Sequence, residues 1–172
     1  MTTEIRPAED EAALTALAAL ARQIWQAHFP GIISQRQIDY MLLQGYSLPA
    51  MRTEIEDGVR HRLAWRAGQP IGYAAHGPDG NEPATLWLHN LYVQANHRRA
   101  GVARALLADA RTHAEELGCS RIRLRVNRHN RLALGFYRRV GFRVARTDIK
   151  DIGNGFVMDD YILARNLAPR QP

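Results

Sequence analysis

The sequence predicts an α/β (α+β) chain built on a mixed, mostly antiparallel sheet. Three observations carry that prediction. Hydrophobic spacing switches between two-residue and helical periods in the order strand, three helices, strand hairpin, strand, helix, strand, helix and two closing strands. One strongly apolar stretch, Thr85 to Val93, reads as a central strand and leads into a helix that opens on a glycine, Gly101. The 172 residues, 46% hydrophobic and 23% charged, suit one domain over residues 1–172 with a sizeable core.

The elements follow in order. Thr3 to Arg6 is a short strand stopped by Pro7. Ala8 to Ala27 is an amphipathic helix, with Leu14, Leu17, Ala18, Ala21, Ile24 and Trp25 on one face, ended near Phe29-Pro30-Gly31. Ser34 caps a second helix that turns Ile38, Met41 and Leu42 inward and ends at Gln44-Gly45. Pro49 suits the first turn of a third, running to about Asp57, with Gly58 closing it. Val59 to Arg66 and Ile71 to His76 are hairpin strands around Ala67-Gly68-Gln69-Pro70. Gly77 to Pro83 is a loop by composition.

After the Thr85–Val93 strand, Ala100 to Gly118 is a helix, with Val102, Leu106, Ala110, Ala114 and Leu117 facing inward. Arg121 to Val126 alternates three arginines with Ile122, Leu124 and Val126, as a strand does. Asn130 to Val140 is the last helix. Arg143 to Lys150 and Phe156 to Arg165 form a closing hairpin around Ile152-Gly153-Asn154-Gly155. The tail from Ala168 to Pro172 is expected to be loose.

Composition excludes some classes. No apolar run reaches the length of a membrane span, and the start, Met1-Thr2-Thr3-Glu4, lacks the pattern of a secretory signal. Cys119 is the only cysteine, so no internal disulfide forms and the cytoplasm is the expected compartment. It follows a helix stop and reads as structural. The histidines show no metal-ligand spacing, so no metal is expected. Net charge is +6, and all but Lys150 of the 23 basic residues are arginine. The distribution says more: 13 arginines and three acids lie between Arg98 and Arg146, against five arginines and eight acids from Met1 to Arg60. A positive field in the second half suits a polyanionic ligand.

The stretch from Leu91 to Ala103 has a physical logic. A helix N-terminus leaves backbone N–H groups unpaired and carries partial positive charge. A loop wrapped over it aims those groups at one point, which suits a pyrophosphate. Gly101 allows the backbone to come close and Ala103 keeps the next turn small.

Leu91-Tyr92-Val93 followed by Arg98-x-x-Gly101-x-Ala103 resembles the acyl-CoA-binding motif of the GNAT superfamily of N-acetyltransferases. Asn130-x-x-Ala133-x-x-x-Tyr137-x-x-x-Gly141-Phe142 resembles the same superfamily's later motif, at a fitting distance. The stretch Phe156 to Leu163 looks like its last strand. The N-terminal third matches in layout only, loosely like bacterial polyamine-type acetyltransferases. The resemblance implies a twisted sheet with helices on both faces, and a gap between splayed central strands that admits the pantetheine arm. It divides the chain into acceptor-side helices (1–58), an acetyl-CoA-binding core (84–142) and a C-terminal hairpin (143–166).

The resemblance also implies roles. The cosubstrate is acetyl-CoA, and transfer to a primary amine is direct, within a ternary complex. The backbone of Leu91, Tyr92 and Val93 would pair with the pantetheine amides. Arg99, Ala100, Gly101, Val102, Ala103 and Arg104 would hold the pyrophosphate through their N–H groups, with Arg98 supporting the turn. Asn130 would bond the CoA arm as well as cap its helix, and Tyr137, seven residues on and on the same face, would protonate the departing thiolate. For the base, His89 and a water chain both stay open. Strand parity groups His89 with Leu91 and Val93, unless a bulge intervenes.

The acceptor pocket is expected from the N-terminal helices, the loop before Thr85 and the final hairpin. Its aromatic candidates are Trp25, His28, Phe29, Tyr40, Tyr46 and Trp87, with Trp25, His28, Tyr46 and Trp87 chosen as substrate-binding. Its acidic candidates are Glu54, Asp57, Asp159 and Asp160. Such a pocket favours a cationic amine, on a small molecule or a peptide. A homodimer stays open, and no membrane partner is expected. The alternative from another class is a basic nucleic-acid-binding or regulatory module that keeps the fold.

Overall fold

Four of the five helices begin where a side chain accepts from the first turn. Asp10 takes the N–H of Ala13 at 2.8 Å, Ser34 that of Gln37 at 3.2 Å, Ser47 that of Ala50 at 3.3 Å and Asn130 that of Ala133 at 3.3 Å. In the computed structural model, which describes residues 2–168, these caps start α1 (Glu11–His28), α2 (Gln35–Gly45), α3 (Leu48–Glu56) and α5 (Arg131–Arg139). The helix α4 (Val102–Glu116) starts instead on Gly101, with no side-chain cap. The expectations for Met1 and for the tail beyond Ala168 fall outside the described residues.

The strands are β1 (Glu4–Pro7), β2 (Arg60–Arg66), β3 (Gln69–Pro78), β4 (Thr85–Val93), β5 (Arg121–Asn127), β6 (Arg143–Gly153) and β7 (Phe156–Asn166). They form one sheet in the order β1-β2-β3-β4-β5-β7-β6. All pairings are antiparallel except β4 with β5. The expected mixed, mostly antiparallel sheet is therefore present, with helices on both faces. Leu14, Leu17, Ile38 and Met51 of α1–α3 cluster with Leu63 and Tyr73 on one face. Leu107 and Ala110 of α4 and Leu134 and Tyr137 of α5 cluster with Leu86, Leu88, Ile122 and Leu124 on the other.

Element ends differ from the sequence reading in explicable ways. Pro7 belongs to β1 rather than stopping it, because an edge strand tolerates a missing donor. Ala8 then bonds to His61 of β2 (2.9 Å), so α1 starts three residues later than expected. Both hairpins are tighter than composition indicated. Ala67-Gly68 (φ 48° and 74°) and Asn154-Gly155 (φ 54° and 77°) make left-handed two-residue turns, so their strands run longer. Leu117, expected to face inward, is 47% exposed. It caps α4 just before Gly118 turns left-handed at φ 69°, so helical spacing no longer sets its direction.

Candidate active site

The parallel pairing of β4 with β5 covers only Thr85–Leu88 against Arg121–Leu124. Beyond it β5 stays with β7, pairing Asn127 with Asp160, while β4 stays with β3. The two central strands thus part, and the edge of β4 from His89 to Val93 has no strand partner on its β5 side. A cleft of about 170 Å³ opens there, lined among others by Trp25, Phe29, His89, Tyr92, Asn130, Tyr137 and Asp160. Register slips at the parting: Ala75 pairs with Asn90 but His76 with Leu88, so His89 is the extra residue of a bulge. The bulge overrides simple parity. Leu91 and Val93 pack on the α4 side, whereas His89 meets the Trp87 ring at 6.5 Å.

The uncapped start of α4 lies at the far end of this parting. Arg99 and Gly101 both take positive φ, 61° and 80°. A Cβ on Gly101 would meet nothing within 4 Å, so the space over the turn is open. The N–H groups at the head of α4 therefore have neither a side-chain acceptor nor an obstruction. Arg98 ties the turn back, its Nε donating to the Val93 carbonyl at 3.4 Å, and Arg66 does so from β2 through the Ala100 carbonyl, also at 3.4 Å. This cradle fits a diphosphate: open N–H groups, partial positive charge and no intruding side chain.

On α5, Asn130 and Tyr137 face the cleft together. The Asn130 oxygen accepts from Ala133 N–H and from His28 Nε2 at 3.1 Å, which joins the end of α1 to the start of α5. Its amide nitrogen has no partner among the described residues. Burial holds the His28 pKa down, ahead of the Asn130 bond acting the other way. Tyr137 is 7% exposed, with its ring between Phe136 and Phe142 at 5.3 and 5.5 Å. Its hydroxyl has no hydrogen-bond partner among the described residues. Desolvation, then the neighbouring Tyr92, raise its pKa far above the usual phenol value, so the proton stays on at neutral pH.

The opposite wall carries the aromatic candidates. Trp25, Phe29 and Trp87 line the cleft. Tyr46 lies behind it: Trp25 Nε1 donates to the Tyr73 hydroxyl (2.9 Å), which meets the Tyr46 hydroxyl (2.8 Å), which donates to Asn90 (3.2 Å). Tyr40 holds the final hairpin, donating to the Ile152 carbonyl at 2.7 Å. His89 is exposed and has no hydrogen-bond partner among the described residues. Surrounding protein still desolvates its ring enough to lower its pKa, ahead of the Glu54 carboxylate acting the other way.

The four acidic candidates separate sharply. Glu54 faces buried His61 at 3.0 Å, Asp57 ends α3 and Asp159 pairs with Arg128 at 2.8 Å. Asp160 alone lines the cleft and is 1% exposed. Its Oδ2 is buried with no hydrogen-bond partner, and the closest cation, Arg125 Nη1, stands 3.6 Å away because Asp148 engages it more closely. Leaving such an acceptor unsatisfied costs about 1–3 kcal/mol. Desolvation, partly offset by Arg125, raises the Asp160 pKa to about 6. The Arg125–Asp148 pair was missed by the sequence reading. The available signal was parity: Asp160 alternates with Met158 and Ile162, so it occupies an inward position of an otherwise apolar face.

Among the described residues no group of three or more His, Cys, Asp or Glu could hold a metal ion, and no helix is long and apolar enough to cross a membrane. The model of the acetyltransferase (GNAT) family matches residues 18–142. Over 167 residues the chain is 28% identical to the spermidine N(1)-acetyltransferase of Thermoplasma acidophilum, covering 92% of this chain and 97% of that one. It is 32% identical over 114 residues to the peptidyl-lysine N-acetyltransferase YjaB of Escherichia coli, covering 61% and 69%. In fold it resembles the PaiA N-acetyltransferase of T. acidophilum, solved with coenzyme A, with a TM-score of 0.80, 23% identity and coverage of 97% and 100%.

Proposed function

We propose, since this chain belongs to the acetyltransferase (GNAT) family and is an acyltransferase, that it moves an acetyl group from acetyl-CoA directly to a cationic primary amine, with Tyr137 as the general acid. The observations that carry this reading are an open anion cradle at Gly101, tied by Arg98 to the end of β4, and a buried, protonated phenol at Tyr137 in the cleft that β4 borders. The donor supplies a thioester whose sulfur becomes a leaving group. The chain's residues supply what surrounds it. The N–H groups from Arg99 to Arg104 hold the diphosphate, with Arg98 bracing the turn. The unpaired edge of β4 at Leu91, Tyr92 and Val93 receives the pantetheine amides as an added strand would. The free amide nitrogen of Asn130 bonds the same arm. Tyr137 protonates the sulfur as it departs.

Trp25 and Trp87 supply the acceptor wall, and His28 locks α1 onto Asn130. A small amine and a peptide amine are both represented by relatives, as spermidine and peptidyl-lysine acetyltransferases. The small volume of the cleft, about 170 Å³, with one anionic residue in its lining, favours the small amine. The rival nucleic-acid module loses support from its own arginines. Arg121 and Arg123 pair with Glu82, Arg125 with Asp148 and Arg128 with Asp159, so the arginines of β5 and the turn after it are engaged within the fold. Calorimetry tests the reading: tight binding of acetyl-CoA, and free thiol released with an amine panel, are expected. Salt-sensitive duplex DNA binding without CoA binding would refute it.

A further inference from the structure

We infer that Asp160 receives the ammonium of the acceptor amine and takes from it the proton that must leave before attack. This rests on the acetyl-transfer reading above and deepens it. The cleft lining holds one cation, Arg125, and one anion, Asp160. Arg125 is committed to Asp148, which also draws Arg146 at 2.9 Å. Asp160 is left with a long contact and a buried oxygen without a hydrogen bond. Buried acceptors are almost always satisfied, so an orphan in a ligand cleft indicates a missing donor. A protonated amine supplies both the charge and the N–H.

The surroundings agree. Of the titratable and charged groups near Asp160, Arg125 comes from β5, Asp148 from β6, Asp159 from its own strand and Tyr92 from β4, with His89 and Tyr137 elsewhere in the lining. The helices α1 and α2 and the connection between them contribute Trp25, Phe29, Ile33, Gln37 and Met41, none charged. Once an ammonium enters, Asp160 is the anion it meets. The desolvation that raises its pKa to about 6 makes it a stronger base than an ordinary aspartate while leaving it mainly ionised at pH 7. His89 is exposed and neutral at that pH, so it offers an incoming cation no charge.

The step balances. An ammonium proton passes to Asp160 Oδ2, and the freed nitrogen lone pair attacks the thioester carbonyl carbon. The C–N bond forms, the C–S bond breaks and the sulfur takes the Tyr137 proton. The second proton lost by nitrogen returns to Tyr137 through water in the cleft, and Asp160 releases its own to solvent. One ammonium and one thioester give one amide, one thiol and one proton.

The test compares the full chain with Asp160→Asn and His89→Gln, using acetyl-CoA, an alkylamine panel that includes spermidine, and the aminooxy counterpart of its best acceptor. An aminooxy nitrogen is already neutral at pH 7 and needs no base. Asp160→Asn should lower kcat/KM for the alkylamine roughly a hundred-fold or more, the usual loss for a general base. It should lower that for the aminooxy compound less than about five-fold, and erase the acid limb of the kcat/KM profile near pH 6. KM for acetyl-CoA should hold, and His89→Gln should cost less than about ten-fold. Equal loss with both nucleophiles, an unchanged alkylamine rate, or an acid limb that vanishes in His89→Gln but not in Asp160→Asn would overturn the assignment. Any of these leaves wild-type acetyl transfer standing. A wild-type chain that binds no acetyl-CoA overturns both readings.

Discussion

Replacing Tyr137 with Phe removes one oxygen from the cleft wall and little else. The ring stays against Phe136 and Phe142, at 5.3 and 5.5 Å, and no hydrogen bond among the described residues is lost. The fold should therefore lose well under the ~1 kcal/mol of a typical hydrogen bond, a change in Tm below about 3 °C for a chain of this size. Catalysis should lose much more. Losing this acid should cost roughly ten- to a thousand-fold in kcat, within or just below the usual range for a general acid and equivalent to about 1.4–4 kcal/mol of transition-state stabilisation. Because the bond to sulfur strengthens only as the thiolate departs, KM for acetyl-CoA should move far less than kcat. Desolvation holds the phenol protonated beyond its usual range, so wild-type activity should persist to high pH and fall only as this proton is lost. That basic limb should flatten in the variant. Single-turnover measurements of thiol release across pH isolate the chemical step. An unchanged single-turnover rate would refute the role, making Tyr137 a packing residue and water the proton donor.

Other expectations follow from the same geometry. Gly101→Glu should abolish acetyl-CoA binding in a folded chain. The added Cβ meets open space, the φ of 80° costs about 1–2 kcal/mol, and the carboxylate enters the diphosphate cradle. Circular dichroism and calorimetry check both halves, and normal binding would misplace the cradle. Asn130→Ala should lose about 1 kcal/mol of cap, roughly 2–4 °C in Tm, together with the His28 tie between α1 and α5. Beneath α4, His76 Nε2 donates to Asp109 (2.9 Å) and its Nδ1 meets His113 Nδ1 (2.9 Å), an arrangement that admits two neutral rings but not two charged ones. Desolvation first lowers both pKa values, His113 to about 4, so the unfolded chain binds these protons at higher pH than the folded one. Stability should be full above about pH 6.5 and fall as pH drops toward 4, and His113→Gln should flatten that slope in thermal melts.

The geometry of the Gly101 turn and of the helix that Asn130 caps was legible because each of its parts is local. The uncapped glycine start of α4, Arg98 three residues before Gly101, and Asn130 two turns before Tyr137 are spacings along a single element, where sequence distance fixes spatial distance. The element order and the sheet's mixed character were legible for the same reason. The rest of the cleft depends on what strands do to one another. His89 leaves its expected parity because β4 slips by one residue against β3, and that slip is a property of the pair. Tyr46 read as a pocket aromatic, but Tyr73 and Asn90 from two other elements hold its hydroxyl. The four acids of the acceptor list looked alike in one dimension. Tertiary pairing gave Glu54 a histidine and Asp159 an arginine, and placed Asp57 at a helix end. It also gave Asp148 the Arg125 side chain that Asp160 would otherwise have held. A residue's partners can be read only after its neighbours' partners are known. The charge left over after that sorting lies in the cleft, and on the proposal above it is the group that an incoming ammonium meets.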